Sequence, residues 1–451
     1  MKALLDHCRR WSYATVASEI SRVARYSDRL VHVDPLTGDS GILRNRIDSP
    51  KTLVVFSLDL DALDPQAPEH RTVVLLNGNL NVSTDIQGLL SLIRTRLRRS
   101  DRVVAIVYNS YLEWLFRIAD RFKLRNGPPC TTFVTRPDLV QLARLSGFEV
   151  TRIRPAVYLP WHFLGLGTIL NMLLPAIPGL RWLGLMAVVV LRPVEPETGR
   201  RPSLTIVIPA RNERGNIESA LRRLPDFGTR TEIIFVEGHS TDGTWEEIQR
   251  VVPLWDGRGN MRVRAFQQER AGKADAVRLG FSKASGDVLT ILDADLTMPP
   301  ELLPRFYEAY CRGLGDFVNG TRLVYPMEGE EMRFLNRLGN IFFAKILSWI
   351  LEARVADTLC GTKLLARRDY QRCVAWRADF GEFDPFGDFE LLFPAAVLAL
   401  GVAEVPVAYR ARTYGTTNIR RFRDGLALLR MTIVGLLRVR LGAGRQGEGT
   451  T

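Results

Sequence analysis

The sequence predicts an α/β protein built from two successive domains, and three observations predict it. Between residues 70 and 150, short apolar strands alternate with helical stretches, the rhythm of a parallel, doubly wound sheet. Between residues 203 and 293, three further apolar strands each stop abruptly in a polar turn. Between these runs lies Pro193-Val194-Glu195-Pro196-Glu197-Thr198-Gly199-Arg200, whose proline, glycine and charge mark a domain boundary. The expected organisation is therefore 1–192, a linker over 193–202, a second domain over 203–418, and a basic amphipathic helix and tail over 419–451.

Composition narrows the function. A chain of 451 residues exceeds one average domain, and 46% hydrophobic residues suffice for sizeable cores. The formal net charge of +12 points to anionic partners: nucleotides, lipid phosphates or an acidic membrane face. That charge is not interleaved with aromatics in a recognisable module, so no nucleic-acid partner is expected. Five widely spaced cysteines argue against a disulfide framework or zinc site and for a reducing compartment. The opening MKALLDHCRRWSYATV carries charges where an export signal needs an apolar run. The most apolar stretch, Phe163 to Leu191, is broken by Pro175, Pro178 and Arg181, and reads as a core element rather than a spanning helix.

In the first domain, residues 1–70 say least: Leu30–Val33 and Leu53–Leu58 read as short strands. Val73–Leu76 is a buried strand ending in Asn77-Gly78, and Asp85–Leu97 has helical periodicity. Val103–Val107 is another strand, followed by Tyr108-Asn109-Ser110. Thr135-Arg136-Pro137-Asp138 caps a helix with proline at an early position. Gly147-Phe148-Glu149-Val150 leads into a last strand. VVLLNGNLNVSTDIQGLL, DRVVAIVYNS and TRPDLVQLARLSGFEV resemble the second half of class I methyltransferases that use S-adenosylmethionine, over roughly residues 70–190. That family opens with a glycine-rich loop, and none occurs in residues 1–70. The resemblance implies a methyltransferase-like fold with a structural or docking role rather than methyl transfer.

The second domain opens with the strand Leu204–Pro209, stopped by proline, then Ala210-Arg211-Asn212-Glu213 and a helix from Asn216 to Leu224. A second strand, Glu232–Val236, ends in Glu237-Gly238-His239-Ser240-Thr241-Asp242-Gly243-Thr244, a turn dense in groups that cap a helix. His239 reads as a turn residue. Arg270-Ala271-Gly272-Lys273 starts a helix whose unpaired amides and lysine suit an anion. The third strand, Val288–Leu292, ends in Asp293-Ala294-Asp295, and Pro299-Pro300 forbids its continuation. Residues i and i+2 of an extended segment point the same way, so both carboxylates face one spot where the strand leaves the core. Paired hard oxygens there suit Mg²⁺ or Mn²⁺ holding a diphosphate; the alternative is a turn with two solvated acids. Strand ends at Pro209, Glu237 and Asp293 would converge on one crevice, where open α/β sheets bind ligands.

This ordered set resembles glycosyltransferase family 2, inverting enzymes of the GT-A nucleotide-diphospho-sugar transferase fold, over residues 203 to about 440. The resemblance implies nucleotide-sugar contacts from Pro209, Ala210, Asn212, Glu213, Glu237, Gly238, Lys273, Asp293, Ala294 and Asp295, with Asp293 and Asp295 holding the metal. It looks closest to the subgroup that acts on polyisoprenyl phosphates, as dolichol-phosphate mannose synthases do. There the resemblance implies acceptor contacts from Arg322, from Cys360, Gly361, Thr362 and Lys363 after Asp357, and from Arg410, Arg412 and Thr417. Thr297 stands where a glutamine often follows the metal pair, and Asn418 where a lysine is usual. Of the acids Asp384, Asp388 and Glu390, Asp388 is the candidate general base, grouped with Arg322 and Arg412 as catalytic. An ionised phosphate acceptor would need no base, whereas a hydroxyl would.

Apolar residues repeating through Phe334–Ile350, and the arginine-studded stretch from Ile419 to Leu441, fit helices lying in an anionic bilayer surface. Packing on the protein or a homo-oligomer seam is the other use of such faces. The expected protein is a metal-dependent hexosyltransferase peripheral to the cytoplasmic face of the cell membrane. A glycan acceptor, or a non-catalytic scaffold, is the alternative.

Overall fold

The computed structural model describes residues 2–37, 40–56, 60–63, 70–199, 201–325, 334–380, 387–410, 412, 414 and 421–441. The chain divides into two compact units. One comprises Met1–Glu195 with Val397–Ala399 and Arg440–Thr451; the other comprises Pro196–Ala396 with Leu400–Val439.

The first unit opens with a helix over Lys2–Ala24, absent from the elements expected in residues 1–70. It buries Val16, Ala17, Ile20, Val23 and Ala24, a helical spacing diluted by the polar residues around it. Six strands follow: β1 (Arg29–Val33), β2 (Thr52–Val55), β3 (Thr72–Asn77), β4 (Arg102–Tyr108), β5 (Phe148–Ala156) and β6 (Met186–Pro193). Their order is β2-β1-β3-β4-β6-β5. β1, β2, β3 and β4 pair in parallel, but β6 runs antiparallel to both β4 and β5. The wholly parallel sheet expected for this half is thus corrected to a mixed one. The cause lies in the apolar stretch 163–191, which breaks into short helices before its end becomes β6. Val188 to Leu191 are all buried, and an unalternating apolar run cannot declare by periodicity whether it is strand or helix. Asp85 caps the Ile86–Arg94 helix by accepting the Gly88 N–H at 2.7 Å.

The second unit holds β7 (Leu204–Ala210), β8 (Thr231–Glu237), β9 (Met261–Gln267), β10 (Val288–Ile291), β11 (Phe317–Thr321), β12 (Lys363–Ala366) and β13 (Val402–Pro406). The order is β13-β11-β12-β10-β7-β8-β9, parallel except for β12 against β10 and β11. Ile206, Ile208, Ile233, Phe235 and Val288 lie in the core, each aliphatic side chain contributing about 1.5–3 kcal/mol by burial. Because β10, β7 and β8 are parallel neighbours, their carboxyl ends share one edge. The Lys273–Lys283 helix lies against β7 so closely that a Cβ at Gly280 would run into the Val207 side chain. That contact fixes where the helix start points.

The Phe334–Leu351 helix buries Ala344, Leu347, Ile350 and Leu351, so part of the face offered to a membrane packs on protein. Phe342 stays exposed, as do Leu426, Leu429 and Ile433 on the Arg421–Val434 helix and Leu437 just beyond it.

Candidate active site

The turns after β7 and β8 are laced into one platform. Asn212, in a left-handed conformation at φ 56°, donates its backbone N–H to Ser240 Oγ at 3.0 Å. Its Oδ1 accepts the Thr241 N–H at 2.9 Å. Thr244 Oγ1 accepts the Glu213 N–H at 3.0 Å, and Asp242 accepts the Arg214 N–H at 3.2 Å. Glu237 is buried, its carboxylate accepting the Ser240 N–H at 2.6 Å and the Gln267 side-chain amide at 3.0 Å. Burial alone would raise this carboxyl, but those hydrogen bonds hold it below its ordinary range. Ala210 and Gly238 meet here, the Gly238 N–H donating to the Ala210 carbonyl, while Pro209 is half-buried.

The metal pair is arranged differently from the extended geometry assumed above. β10 ends at Ile291, and Asp293–Leu296 is a turn, with the Leu296 N–H on the Asp293 carbonyl and Leu296 at φ 52°. The carboxylates therefore do not inherit a common direction from strand alternation. Asp293 Oδ1 lies 2.5 Å from Lys273 Nζ, at the first turn of its helix. Burial opposes the Asp293 charge, but Lys273, then Lys363 and Arg322, hold its carboxyl below the usual range. Burial likewise opposes the Lys273 charge, and Asp293 and Asp388 outweigh it, raising the ammonium. Asp295 Oδ1 accepts the Thr297 N–H at 3.1 Å and its hydroxyl at 2.7 Å, while Oδ2 accepts Arg412 Nη2 at 2.7 Å. Ala294 between them is buried.

Gly361 matters for space. A Cβ there would fall on Asp293 Oδ2 and Lys273 Nζ, so only glycine lets β12's approach lie over the pair. Lys363, two residues on, is fully buried, with Nζ 2.5 Å from Asp388 Oδ1. Arg322 grips Asp357 through two parallel bonds of 2.6 and 2.8 Å, and its guanidinium sits over the Tyr409 ring at 5.4 Å. Cys360 and Thr362 are buried, and burial pushes the Cys360 thiol up to about 11.

Three of the four cations offered to an acceptor phosphate are thus each held by an acid: Arg322 by Asp357, Lys363 by Asp388 and Arg412 by Asp295. Arg410 is exposed, its backbone N–H on the Thr297 carbonyl at 2.9 Å. Glu390 pairs with Arg278 and Arg377, on a different network. Thr417, Asn418 and Asp384 lie outside the described residues. The sequence reading named Asp357 only as a motif position and missed Thr244, Asp242 and Gln267 as braces. The signal for Asp242 and Thr244 was present as Ser, Thr and Asp density after a buried strand, whereas Gln267 ends β9 and had none.

Glu213 carries the site's clearest titration. Its carboxyl is pushed up to about 7, by burial first and by Asp295 and Asp242, against the Asn216 hydrogen bond and Arg412. A raised acid binds more protons folded than unfolded between its ordinary 4.5 and about 7. Its contribution to stability is therefore full below 4.5 and lost as pH rises through 7. Glu213→Gln should remove this dependence. The urea midpoint of the unaltered protein should drop relative to the variant, by about 1–3 kcal/mol in stability between about pH 5 and about pH 8.

Residues 205–374 match the model of "Glycosyl transferase family 2". A dolichyl-phosphate hexose transferase from Haloferax volcanii is 32% identical over 228 residues, half of this chain and 90% of that one. A dolichol-phosphate mannosyltransferase from Pyrococcus furiosus is 34% identical over 227 residues, 48% of this chain and 59% of that one. The chain thus spans about six tenths of the Pyrococcus protein's length. Among solved structures, glucosyl-3-phosphoglycerate synthase from Mycobacterium tuberculosis aligns over 55% of this chain and 84% of its own, at TM-score 0.39 and 20% identity. The chain belongs to glycosyl transferase family 2. Its second unit is a glycosyltransferase domain.

Proposed function

We propose that the protein moves a hexose from a nucleotide-diphosphate donor to a polyisoprenyl phosphate, with inversion, at the cytoplasmic face of a membrane. The donor would lie along Pro209, Ala210, Asn212, Glu213, Glu237 and Gly238, its diphosphate against Lys273 and the first turn of that helix. Two carboxylates from one turn, Asp293 held in its anionic form, fit a divalent cation that completes its shell with phosphate oxygens. When bound by Asp293 and Asp295, Mg²⁺ or Mn²⁺ would supply charge neutralisation to the departing diphosphate.

The observation that carries the acceptor reading is the Lys363–Asp388 pair. Asp388, the candidate base, spends an oxygen on a buried ammonium. A phosphate acceptor, ionised at neutral pH, needs no proton removed and is compatible with that arrangement. Arg322 and Arg412 supply guanidiniums beside the site that can exchange carboxylate for phosphate. The relatives' names, dolichyl-phosphate hexose transferase and dolichol-phosphate mannosyltransferase, favour the same acceptor. The exposed stripe Leu426, Leu429, Ile433 and Leu437, with Arg430 and Arg438 on the same segment, supports contact with a membrane surface. The parallel strands β1, β3 and β4 with helices between them favour a methyltransferase-like fold for the first unit, to which we assign a structural or docking role.

The test is turnover with a panel of UDP-, GDP-, CDP- and dTDP-hexoses, Mn²⁺ and a short-chain polyprenyl phosphate. One donor should yield a lipid-linked sugar. Turnover only onto a glycan hydroxyl, or none with any donor, would overturn the reading.

A further inference from the structure

The first unit carries a surface that its own fold leaves uncovered. The Glu113–Arg121 helix buries only Phe116, against Tyr108 and Phe133, with ring centroids 4.9 and 6.0 Å away. Its other apolar residues point outward: Trp114 is 60% exposed and Ile118 44%, flanked by Tyr111 at 59% and Phe122 at 67%. Trp114, Ile118 and Phe122 recur every four residues, so they share one face of the helix and its C-terminal end, and Tyr111 stands exposed in the turn before it.

A second element rises from the same edge of the sheet. Tyr108 at the end of β4 and Ala156 at the end of β5 both pair with Met186 at the start of β6. Asn109 ties the two elements together, its Nδ2 donating to the Gly184 carbonyl at 2.7 Å and its N–H to Leu185 at 3.1 Å. The segment between β5 and β6 is built firmly. Asn171 Oδ1 accepts the Tyr158 and Leu159 amides at 2.6 and 3.0 Å, and a Cβ at Gly167 would strike the Trp161 carbonyl. Yet this segment exposes Phe163 at 63% and Leu164 at 98%, both in the left-handed region at φ 37° and 54°. Holding two bulky residues in that strained conformation with their side chains in solvent asks for a use. Ile169 is 49% exposed beside them in sequence.

We propose that this face docks into the interfacial layer of an anionic bilayer, without spanning it. Exposed apolar clusters of this kind mark membrane or protein contacts, and aromatics rimmed by cations favour the first. The local charge agrees. Glu113 is taken by Arg117, and Asp120 by Arg125 at 2.8 Å, while Arg121 and Lys123 stand exposed on either side of Phe122. Among the described residues, no helix is long and apolar enough to cross a membrane, so insertion here is to the depth of side chains. The proposal leans on the lipid-acceptor reading only in choosing a bilayer over a protein.

The test is flotation of the full chain, without substrate, on vesicles of phosphatidylcholine with about one third phosphatidylglycerol. The protein should float with these vesicles and far less with pure phosphatidylcholine. Trp114→Ser combined with Phe163→Ser and Leu164→Ser should weaken flotation at least about tenfold, whereas Leu254→Ser, an exposed leucine of the other unit, should not. All three altered side chains are mostly exposed, so folding should survive, and an unchanged melting temperature checks it. Undiminished flotation of the triple variant would overturn the proposal. So would conversion of a dimer to a monomer by light scattering with flotation unchanged, which would assign the face to a second copy. Turnover on a water-soluble acceptor, measured in parallel, reports on the transferase reading separately.

Discussion

Asp293→Asn should cut sugar transfer by at least about a thousandfold, with Asp295→Asn close behind, in a protein that still folds. The two halves of this expectation rest on different magnitudes. Lys273 and Asp293 are 33% and 27% exposed, so their ion pair is partly solvent-screened and its loss should cost only about 1 kcal/mol of stability. Function depends on the same carboxylate far more steeply. On the proposed reading it sets the charge that would face the diphosphate, and a Cβ at Gly361 would collide with it. Asn keeps the shape and removes the charge. Thermal shift with nucleotide diphosphate should show Mn²⁺-dependent stabilisation in the unaltered protein and none in either variant. Turnover within tenfold of the unaltered protein would remove Asp293 from the chemistry.

What could be read in advance follows a physical divide. The strands ending at Ala210, Glu237 and Ile291 were legible because apolar β-branched runs stopped by proline, glycine or aspartate are local signals. The start of the Lys273–Lys283 helix was legible for the same reason. The turn at Asp293–Leu296 was not, since Leu296 adopts positive φ without being glycine. Arg412 reaching Asp295 spans 117 residues of chain, and no periodicity encodes that distance. The acids that hold Arg322, Lys363 and Arg412 were each visible in the sequence, but their pairing is a product of packing. β6 shows the same limit, its partner β4 lying far earlier in the chain. Exposure is hardest of all: nothing in EWLFRIADR distinguishes an apolar stripe turned to solvent from one turned to a core.

The pair that sequence reading set in different roles, Lys363 for the acceptor and Asp388 as base, yields the second large effect. Lys363 has no exposed surface and Asp388 about a tenth. Removing the acid leaves an ammonium in the interior without its counter-charge, a loss of roughly 3–5 kcal/mol in comparable buried pairs. Asp388→Ala should therefore lower the urea midpoint sharply, and Asp388→Asn somewhat less, because its amide oxygen can still accept from Nζ. Replacing both partners by apolar residues, Lys363→Met with Asp388→Leu, should recover much of the stability, since neither charge is then stranded. This separates the structural from the catalytic role of Asp388. Assayed well below its unfolding temperature, Asp388→Asn should keep transfer onto polyprenyl phosphate within about tenfold, because that acceptor arrives ionised. A folded Asp388→Asn protein that loses transfer as completely as Asp293→Asn would instead make Asp388 the base, and the acceptor a hydroxyl.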